Sequence, residues 1–164
     1  MLINNAQLST AIEQHRQELI ETVSKRLQQL EGTHYADIDY ERHLEREEVF
    51  LNVLLQGLQH ETPEVFLNFV DQLSDQRANE GYTLQEFQQA FNIVEDTIWE
   101  MLVREYAPDR LLIDMLTTFR RFFRAGKDRL AGVYLREADF TKKELEEIQR
   151  KFRTYRKMTK RSVL

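Results

Sequence analysis

LQEFQQAFNIVEDTIWEM, residues 84–101, and LIDMLTTFRRFFRAGKDRLAGV, residues 112–133, decide the fold of this chain. Both segments repeat apolar residues at intervals of three and four, which is the spacing of one face of an α-helix. The repeats consist of Leu84, Phe87, Phe91, Val94, Ile98 and Met101, and of Leu112, Leu116, Phe119, Phe123, Gly126, Leu130 and Val133. This spacing predicts two long helices that pack along a heptad seam.

Both segments also carry more apolar residues than one seam requires. The additional residues are Ile93, Trp99 and Val103 in the first segment and Leu111, Met115 and Phe122 in the second. Such a surplus predicts a second packing partner, which is either another helix of the same chain or a second copy of it. In the second case, the expected homodimer interface contains Phe87, Phe91, Val94, Ile98, Leu112, Leu116, Phe119, Phe123 and Leu130.

The rest of the chain is also predicted to be helical, because only five Gly and two Pro occur in 164 residues. Helix starts are predicted at three Thr-x-x-Glu capping boxes, two prolines and one aspartate: Thr10–Glu13, Thr83–Glu86, Thr141–Glu144, Thr62-Pro63, Ala107-Pro108 and Asp39. Gly32 and Gly81 fit helix ends. We therefore expect an all-α, six-helix bundle with helices over about 10–31, 40–59, 63–80, 84–106, 108–136 and 142–158.

Charge divides the chain into two regions. Residues 142–161 contain nine basic and three acidic residues, so their net charge is +6 and that of the remainder is −11. We expect a helical sensor domain over residues 1–136 and a basic C-terminal connector helix over residues 137–164. A basic helix on an acidic body with a pI near 5.5 is a poor nucleic-acid binder, so no nucleic-acid partner is expected.

Several function classes are excluded by motifs that the sequence lacks. Without Cys, the chain has no thiol catalysis, disulfide or Cys-ligated metal. Zinc-protease, phosphate-loop, nucleophile-elbow and paired Glu-x-x-His motifs are also absent. The apolar runs are too short to cross a bilayer, and the first residues do not resemble a signal peptide. We therefore expect a cytoplasmic protein without membrane contact, not an enzyme, with no catalytic residue, metal or cofactor.

His43 and Glu47 lie one helical turn apart, and Glu47 falls on the apolar stripe of its predicted helix. A buried carboxylate needs a partner, so we expect Glu47 to meet His43, an Arg or a ligand. One interpretation is an ion pair on the helix surface. The other places His43, Glu47, Phe50 and Leu54 on the wall of an internal pocket, which would hold haem, with His43 as axial ligand, or a small apolar molecule.

Residues 77–99 resemble a known family. After Arg77, the segment Gly81-Tyr82-Thr83-Leu84-Gln85-Glu86-Phe87 leads into Ile98-Trp99. This glycine-aromatic turn before an amphipathic helix is similar to the N-terminal sensor domain of RsbR-type stressosome proteins, and the resemblance extends from the first helix through Tyr134. It implies a globin-like domain without haem, which acts as a dimeric bacterial input module before an output domain such as a STAS domain or a histidine kinase.

Together, these features favour a non-catalytic signalling input domain that acts through homodimerisation and contact with a protein partner or a fused output domain. The last predicted helix suits a connector, because Leu145, Ile148, Phe152 and Tyr155 keep a spacing of three, four and three. The alternative is a globin-like sensor that binds haem or a small apolar ligand.

Overall fold

The computed structural model describes residues 4–60 and 63–161, which form six helices and no strand. The helices are α1 (Asn4–Gln14), α2 (Arg16–Gln28), α3 (Tyr40–Gln59), α4 (Glu64–Asn79), α5 (Leu84–Tyr106) and α6 (Arg110–Arg161). The predicted all-α class is confirmed, and the described residues form six helices, the number predicted. The helix boundaries differ from the prediction at both ends of the chain.

The bundle forms around α6. Its first half packs against α1, α4 and α5, while α3 packs against α1, α2 and α4, and α2 also contacts α5. Phe66 of α4, Phe91 of α5 and Phe119 and Phe123 of α6 are almost completely buried where these helices meet. Aromatic rings from three helices therefore fill the centre of the core, where burial of such large apolar side chains provides most of the stabilisation.

The single first helix predicted over residues 10–31 is wrong. The chain forms α1 and α2 instead, and they are separated at His15, whose backbone leaves the α region (φ −106°, ψ 13°). Thr10 is not a cap but an interior residue of α1, where its hydroxyl donates a hydrogen bond to the Ala6 carbonyl (2.8 Å). The change of direction at His15 lets the apolar faces of both short helices reach the core, since Ile12 and Leu19 are both buried.

The predicted break between the last two helices is also wrong. α6 continues through residues 137–141, and the Thr141 hydroxyl donates to the Glu137 carbonyl (3.0 Å) within the helix rather than capping a new one. No Gly or Pro occurs between Tyr134 and Lys142 to interrupt the helix. The helix begins at Arg110 rather than at Pro108, and the Asp109 carboxylate accepts a hydrogen bond from the Leu111 amide (2.9 Å).

The junction between α4 and α5 follows its predicted capping chemistry. Gly81 has a positive φ of 90°, and the Tyr82 amide donates to the Arg77 carbonyl (2.9 Å), which ends α4 in a Schellman-type turn. Thr83 then caps α5, and the full capping box with Glu86 is present. Gly32 also has a positive φ (75°), after the end of α2.

The other two predicted helix starts, at Asp39 and at Thr62-Pro63, differ in detail. Asp39 precedes α3 in extended conformation, but its side chain makes no capping hydrogen bond. Pro63 lies immediately before α4, and its carbonyl accepts a hydrogen bond from the Leu67 amide (2.8 Å). Thr62, which was predicted to precede it as a cap, lies outside the described residues.

The heptad seam of α5 and α6 is enclosed by the chain itself. Seven residues predicted for a homodimer interface are at most 6% exposed: Phe87, Phe91, Val94, Ile98, Phe119, Phe123 and Leu130. Leu112 and Leu116 are partly buried and pack against the same core. The second packing partner of these residues is therefore the rest of the bundle, and they present almost no surface to another copy.

Candidate functional site: a pocket between α3, α4 and α5

A pocket of about 410 Å³ lies between α3, α4 and α5 and beneath the loop that precedes α3. Its lining consists of Tyr35, Arg42, His43, Glu45, Arg46, Glu47, Val49, Phe50, Phe69, Leu73, Gln76, Arg77, Phe87, Ala90, Phe91 and Val94. Val49 (51% exposed), Arg42, Glu45 and Gln76 are exposed, whereas Phe87 and Phe91 are buried. The pocket therefore has a polar opening between α3 and α4 and an aromatic interior.

Three of the four residues predicted for an internal pocket line this one. They are His43, Glu47 and Phe50, which occupy successive turns of α3. Leu54, one turn further, is fully buried and is not part of the lining. The lining residues that the sequence did not identify come partly from α3 itself, such as Arg46, and partly from other elements, with Tyr35 from the loop and Arg77 from α4.

His43 is a buried wall residue. Its Nε2 lies 2.8 Å from the carbonyl oxygen of Tyr35, so Nε2 carries the hydrogen and donates it. Burial lowers the pKa of His43, despite the opposing effect of this hydrogen bond. Its Nδ1 is buried without a hydrogen-bond partner among the described residues. The neutral ring therefore anchors the loop over the pocket.

The same geometry argues against haem at this position. Axial ligation needs an imidazole nitrogen whose lone pair can reach the iron. Nε2 of His43 is engaged by Tyr35, and Nδ1 is enclosed by protein. The residues present therefore do not fit a His43-ligated haem. In the parts of the chain that the structure describes, no group of three or more His, Asp or Glu side chains could hold a metal ion.

Glu47 is one of two glutamates in the pocket lining, and it is partly buried whereas Glu45 is exposed. Burial raises the pKa of Glu47 to about 7, although Arg77 and Arg46 act in the opposite direction. No side chain or amide among the described residues donates a hydrogen bond to it. Its side chain also borders a small void of about 10 Å³ that is otherwise apolar. The sequence-based surface ion pair with His43 is not present as a direct contact.

Two arginines near Glu47 differ in how well they are paired. Arg77 is buried, forms a 2.7 Å ion pair with Glu80 and lies 5.3 Å from the ring centre of Tyr82. Arg46 is 19% exposed and lies 3.9 Å from the same Glu80. Its one hydrogen bond within the described residues is a long one of 3.3 Å to the Tyr82 hydroxyl. Most donors of Arg46 are thus available to another acceptor.

Glu86 holds the loop and the start of α5 together at the edge of this site. Its carboxylate accepts hydrogen bonds from the Thr83 amide (2.7 Å) and hydroxyl (2.9 Å) and from the His34 amide (2.9 Å), and it contacts the His34 ring (2.9 Å). Burial alone would raise its pKa, but these hydrogen bonds lower the pKa of Glu86 to about 2. The carboxylate therefore remains ionised and fixes the loop that carries Tyr35.

Aromatic contacts connect the pocket interior to α6. The ring of Phe50 lies 6.3 Å from that of Phe123, and the ring of Phe87 lies 6.5 Å from that of Tyr134. The Tyr134 hydroxyl donates to the Tyr82 carbonyl (3.1 Å) in the turn before α5. A change in the shape of the pocket would therefore act directly on side chains of α6.

The sequence matches the family described as RsbT co-antagonist protein rsbRD N-terminal domain over residues 17–139, about three quarters of the chain. The chain belongs to this family. The resemblance noted around residues 77–99 is thereby confirmed, and the matched region contains every residue that lines the pocket.

Membership of the RsbRD N-terminal family identifies the chain as a stressosome-type signalling input domain. No curated protein and no solved structure matches the chain. No helix in the described part of this RsbRD-type domain is both long and apolar enough to cross a membrane. The match ends at residue 139, just where α6 leaves the bundle, since every residue from 138 to 151 is exposed.

Proposed function

We propose that this chain is a homodimeric, non-catalytic input domain in which α6 transmits changes in packing from the bundle to its own C-terminal extension. The observation that supports this most strongly is the continuity of α6. Its 52 residues extend over about 78 Å at the usual rise of an α-helix. One rigid element therefore contacts the aromatic core at one end and solvent at the other.

The extension is defined here as residues 138–161 of α6, which correspond to roughly 36 Å of helix. Its described side chains, up to residue 151, are all exposed. Isolated helices are marginally stable in water, so a projecting helix of this length benefits from a partner. Over residues 138–151 the bundle supplies none, which favours association with another molecule.

A second copy of the chain is the partner that the extension fits best. Ala138, Thr141, Leu145 and Ile148 follow one another at spacings of three, four and three, which is the pattern of a two-stranded coiled coil. Leu145 is 55% and Ile148 50% exposed, so the apolar stripe is uncovered in a single chain. These features support a homodimer contact on the extension rather than on the seam of α5 and α6.

The test is the mass of the full-length chain in solution, measured by sedimentation equilibrium. We expect twice the monomer mass of 19.7 kDa for the unaltered protein. The double variant Leu145→Glu and Ile148→Glu should be monomeric, because charges replace both apolar contacts of the stripe. Leu135→Glu is the matched control, since Leu135 is 64% exposed on another face of the same helix. A monomeric unaltered protein, or a double variant that stays dimeric, would refute this arrangement.

A further inference from the structure

The pocket has the size of a small organic ligand. Its volume of about 410 Å³ falls in the range of small-molecule sites. Since one water occupies about 30 Å³ of liquid, the space corresponds to roughly 10–15 non-hydrogen atoms. Its exposed opening between Arg42 and Gln76 gives such a molecule a route from solvent.

The interior of the pocket favours an apolar or aromatic body. Phe69 and Leu73 of α4 face Phe87, Phe91 and residues of α3 across it. Ring edges and aliphatic groups on three sides leave no polar partner for this part of a ligand. Transfer of an apolar body from water to such a surface is favourable.

The polar side of the pocket favours a carboxylate head. A guanidinium carries five N–H donors and binds carboxylates through two parallel hydrogen bonds. Among the described residues, Arg46 donates one hydrogen bond, of 3.3 Å to Tyr82, and its other partner is Glu80 in an ion pair of 3.9 Å, although its side chain is only 19% exposed. A carboxylate beside Arg46 would supply the acceptors that this partly desolvated cation lacks.

Glu47 can take part in the same contact in its protonated form. The charged groups that act most strongly on it are Arg77 on α4 and Arg46 on its own helix. The other titratable or charged groups in the lining are Arg42, His43 and Glu45 of α3 and the phenol of Tyr35 in the loop. The pocket-facing residues of α5 and the neighbouring residues of α2 are apolar. A neutral Glu47 carboxyl can donate its hydrogen to a ligand carboxylate, because two carboxylates in one site share a proton.

We propose that this pocket binds a small monocarboxylate with an apolar body, whose head contacts Arg46 and Glu47 and whose body lies against Phe69, Phe87 and Phe91. This inference rests on the proposed input function, for which it names the chemical class of the ligand. An amine fits less well, since three arginines and two glutamates line the pocket. Binding brings a proton to Glu47, so affinity should fall as pH rises through its pKa of about 7.

Three probes with the same eight-carbon tail test the head group: octanoate, octylamine and 1-octanol. Isothermal titration calorimetry on the full chain at pH 6 and pH 8 should show octanoate as the tightest ligand. Its affinity should be about tenfold higher at pH 6, as the protonated fraction of Glu47 changes by that factor. Absence of octanoate binding at both pH values, or equal binding of octylamine, overturns the proposal.

Two variants separate the roles of the polar residues. Arg46→Gln should weaken octanoate binding at least tenfold at pH 6, because the charged hydrogen bonds to the carboxylate are lost. Glu47→Gln keeps an N–H donor without titrating, so its affinity should not depend on pH and should exceed that of the unaltered protein about tenfold at pH 8. Glu41→Gln, an exposed glutamate of α3 outside the pocket, should change neither quantity.

The results also separate this inference from the proposed dimer. A chain that binds octanoate with the expected pH dependence but sediments as a monomer supports the ligand site and rejects the dimer. A dimeric chain that does not bind octanoate supports the dimer and rejects the ligand site. A Glu47→Gln variant that retains the full pH dependence would overturn the role of Glu47, provided that circular dichroism shows the same helix content as the unaltered chain.

Discussion

The ring of Phe91, which lines the pocket from α5, lies 5.2 Å from the ring of Phe123 on α6. Phe123 also lies 4.5 Å from Phe119 one turn earlier on α6. The shortest path from the pocket interior to α6 is thus a single aromatic contact. A displacement of the Phe91 ring should therefore displace that of Phe123, because side chains in a dense core have few alternative positions.

Gly126 permits this approach of α5 and α4 to α6. A Cβ at this position would lie 3.0 Å from ring atoms of Phe66 and Phe91. We expect Gly126→Ala to destabilise the fold by about 1–3 kcal/mol through overpacking, partly offset by the higher helix propensity of Ala. Chemical denaturation measures the effect.

Gly132 provides the matched control for this prediction. It lies on the same helix, and its added Cβ would meet only the Arg136 side chain, at 3.6 Å. Gly132→Ala should stabilise the fold by up to about 1 kcal/mol. Equal effects of the two substitutions would show that the contact at Gly126 is not restrictive.

Replacing Glu86 by Gln should destabilise the fold by roughly 2–3 kcal/mol at pH 7. The pKa of Glu86 in the folded state is about 2, below the ordinary value of 4.5. The carboxylate therefore contributes stability that is present above pH 4.5 and is lost as pH falls toward 2. The difference between Glu86→Gln and the unaltered protein should shrink over this interval, as measured by urea denaturation at several pH values.

Glu100→Gln is a suitable control for the Glu86 substitution. Glu100 is 58% exposed and forms a surface ion pair with Arg26 (2.6 Å). Exposed pairs contribute about 0–1 kcal/mol, so its loss should have a small effect. A loss of stability in Glu86→Gln that is no greater than that in Glu100→Gln would contradict the structural role of Glu86.

The contribution of Glu47 to the stability of the fold should have the opposite pH dependence to that of Glu86. Its folded-state pKa of about 7 lies above the ordinary 4.5, so the folded state binds more protons than the unfolded state between these values. Stability contributed by the neutral carboxyl is therefore lost as pH rises from about 4.5 to about 7. We expect Glu47→Gln to stabilise the ligand-free fold at pH 8 by on the order of 1–3 kcal/mol and to have little effect at pH 4. Thermal denaturation at both pH values measures this, with Glu41→Gln as control.

The bundle should be insensitive to interruption of the extension. Ala138 is exposed and follows Val133, the last buried residue of α6 up to residue 151. Ala138→Pro should therefore abolish dimerisation while leaving the unfolding temperature of the bundle nearly unchanged. Ala131→Pro, within the packed half of the same helix, should cost about 3 kcal/mol or more. A large loss of bundle stability in Ala138→Pro would contradict a domain boundary near residue 136.

The sequence predicted those parts of the fold that depend on local chemistry. The capping box from Thr83 to Glu86 lies within four residues, and the α5 helix that follows it ends at Tyr106 as expected. The division at His15 could not be predicted in this way, because it depends on how apolar faces reach a core assembled from distant helices. The continuity of α6 has a local cause, since no Gly or Pro occurs between Tyr134 and Lys142, but the Thr-x-x-Glu pattern at Thr141 resembles a helix start.

The same distinction applies to the pocket. His43 and Glu47 could be found because they lie one turn apart on a largely apolar stripe. The contribution of Arg77 could not, since it comes from another helix and no periodic pattern marks it. The surplus of apolar residues along α5 and α6 was predicted, but the sequence alone does not show how much of it the same chain covers. Met115 and Phe122 are buried, whereas Trp99 and Val103 are each 38% exposed.

The continuity of α6 determines the rotational orientation of its C-terminal end as well as the distance of that end from the bundle. Each residue of an α-helix turns the chain by about 100° and advances it about 1.5 Å, and no glycine or proline between Val133 and Arg161 absorbs that rotation. The bundle would therefore set the orientation, about the helix axis, of any module attached beyond the extension. Inserting one residue near Ala138 would rotate such a module by about 100° about the helix axis. Inserting seven residues would leave it within about 20° of its original orientation.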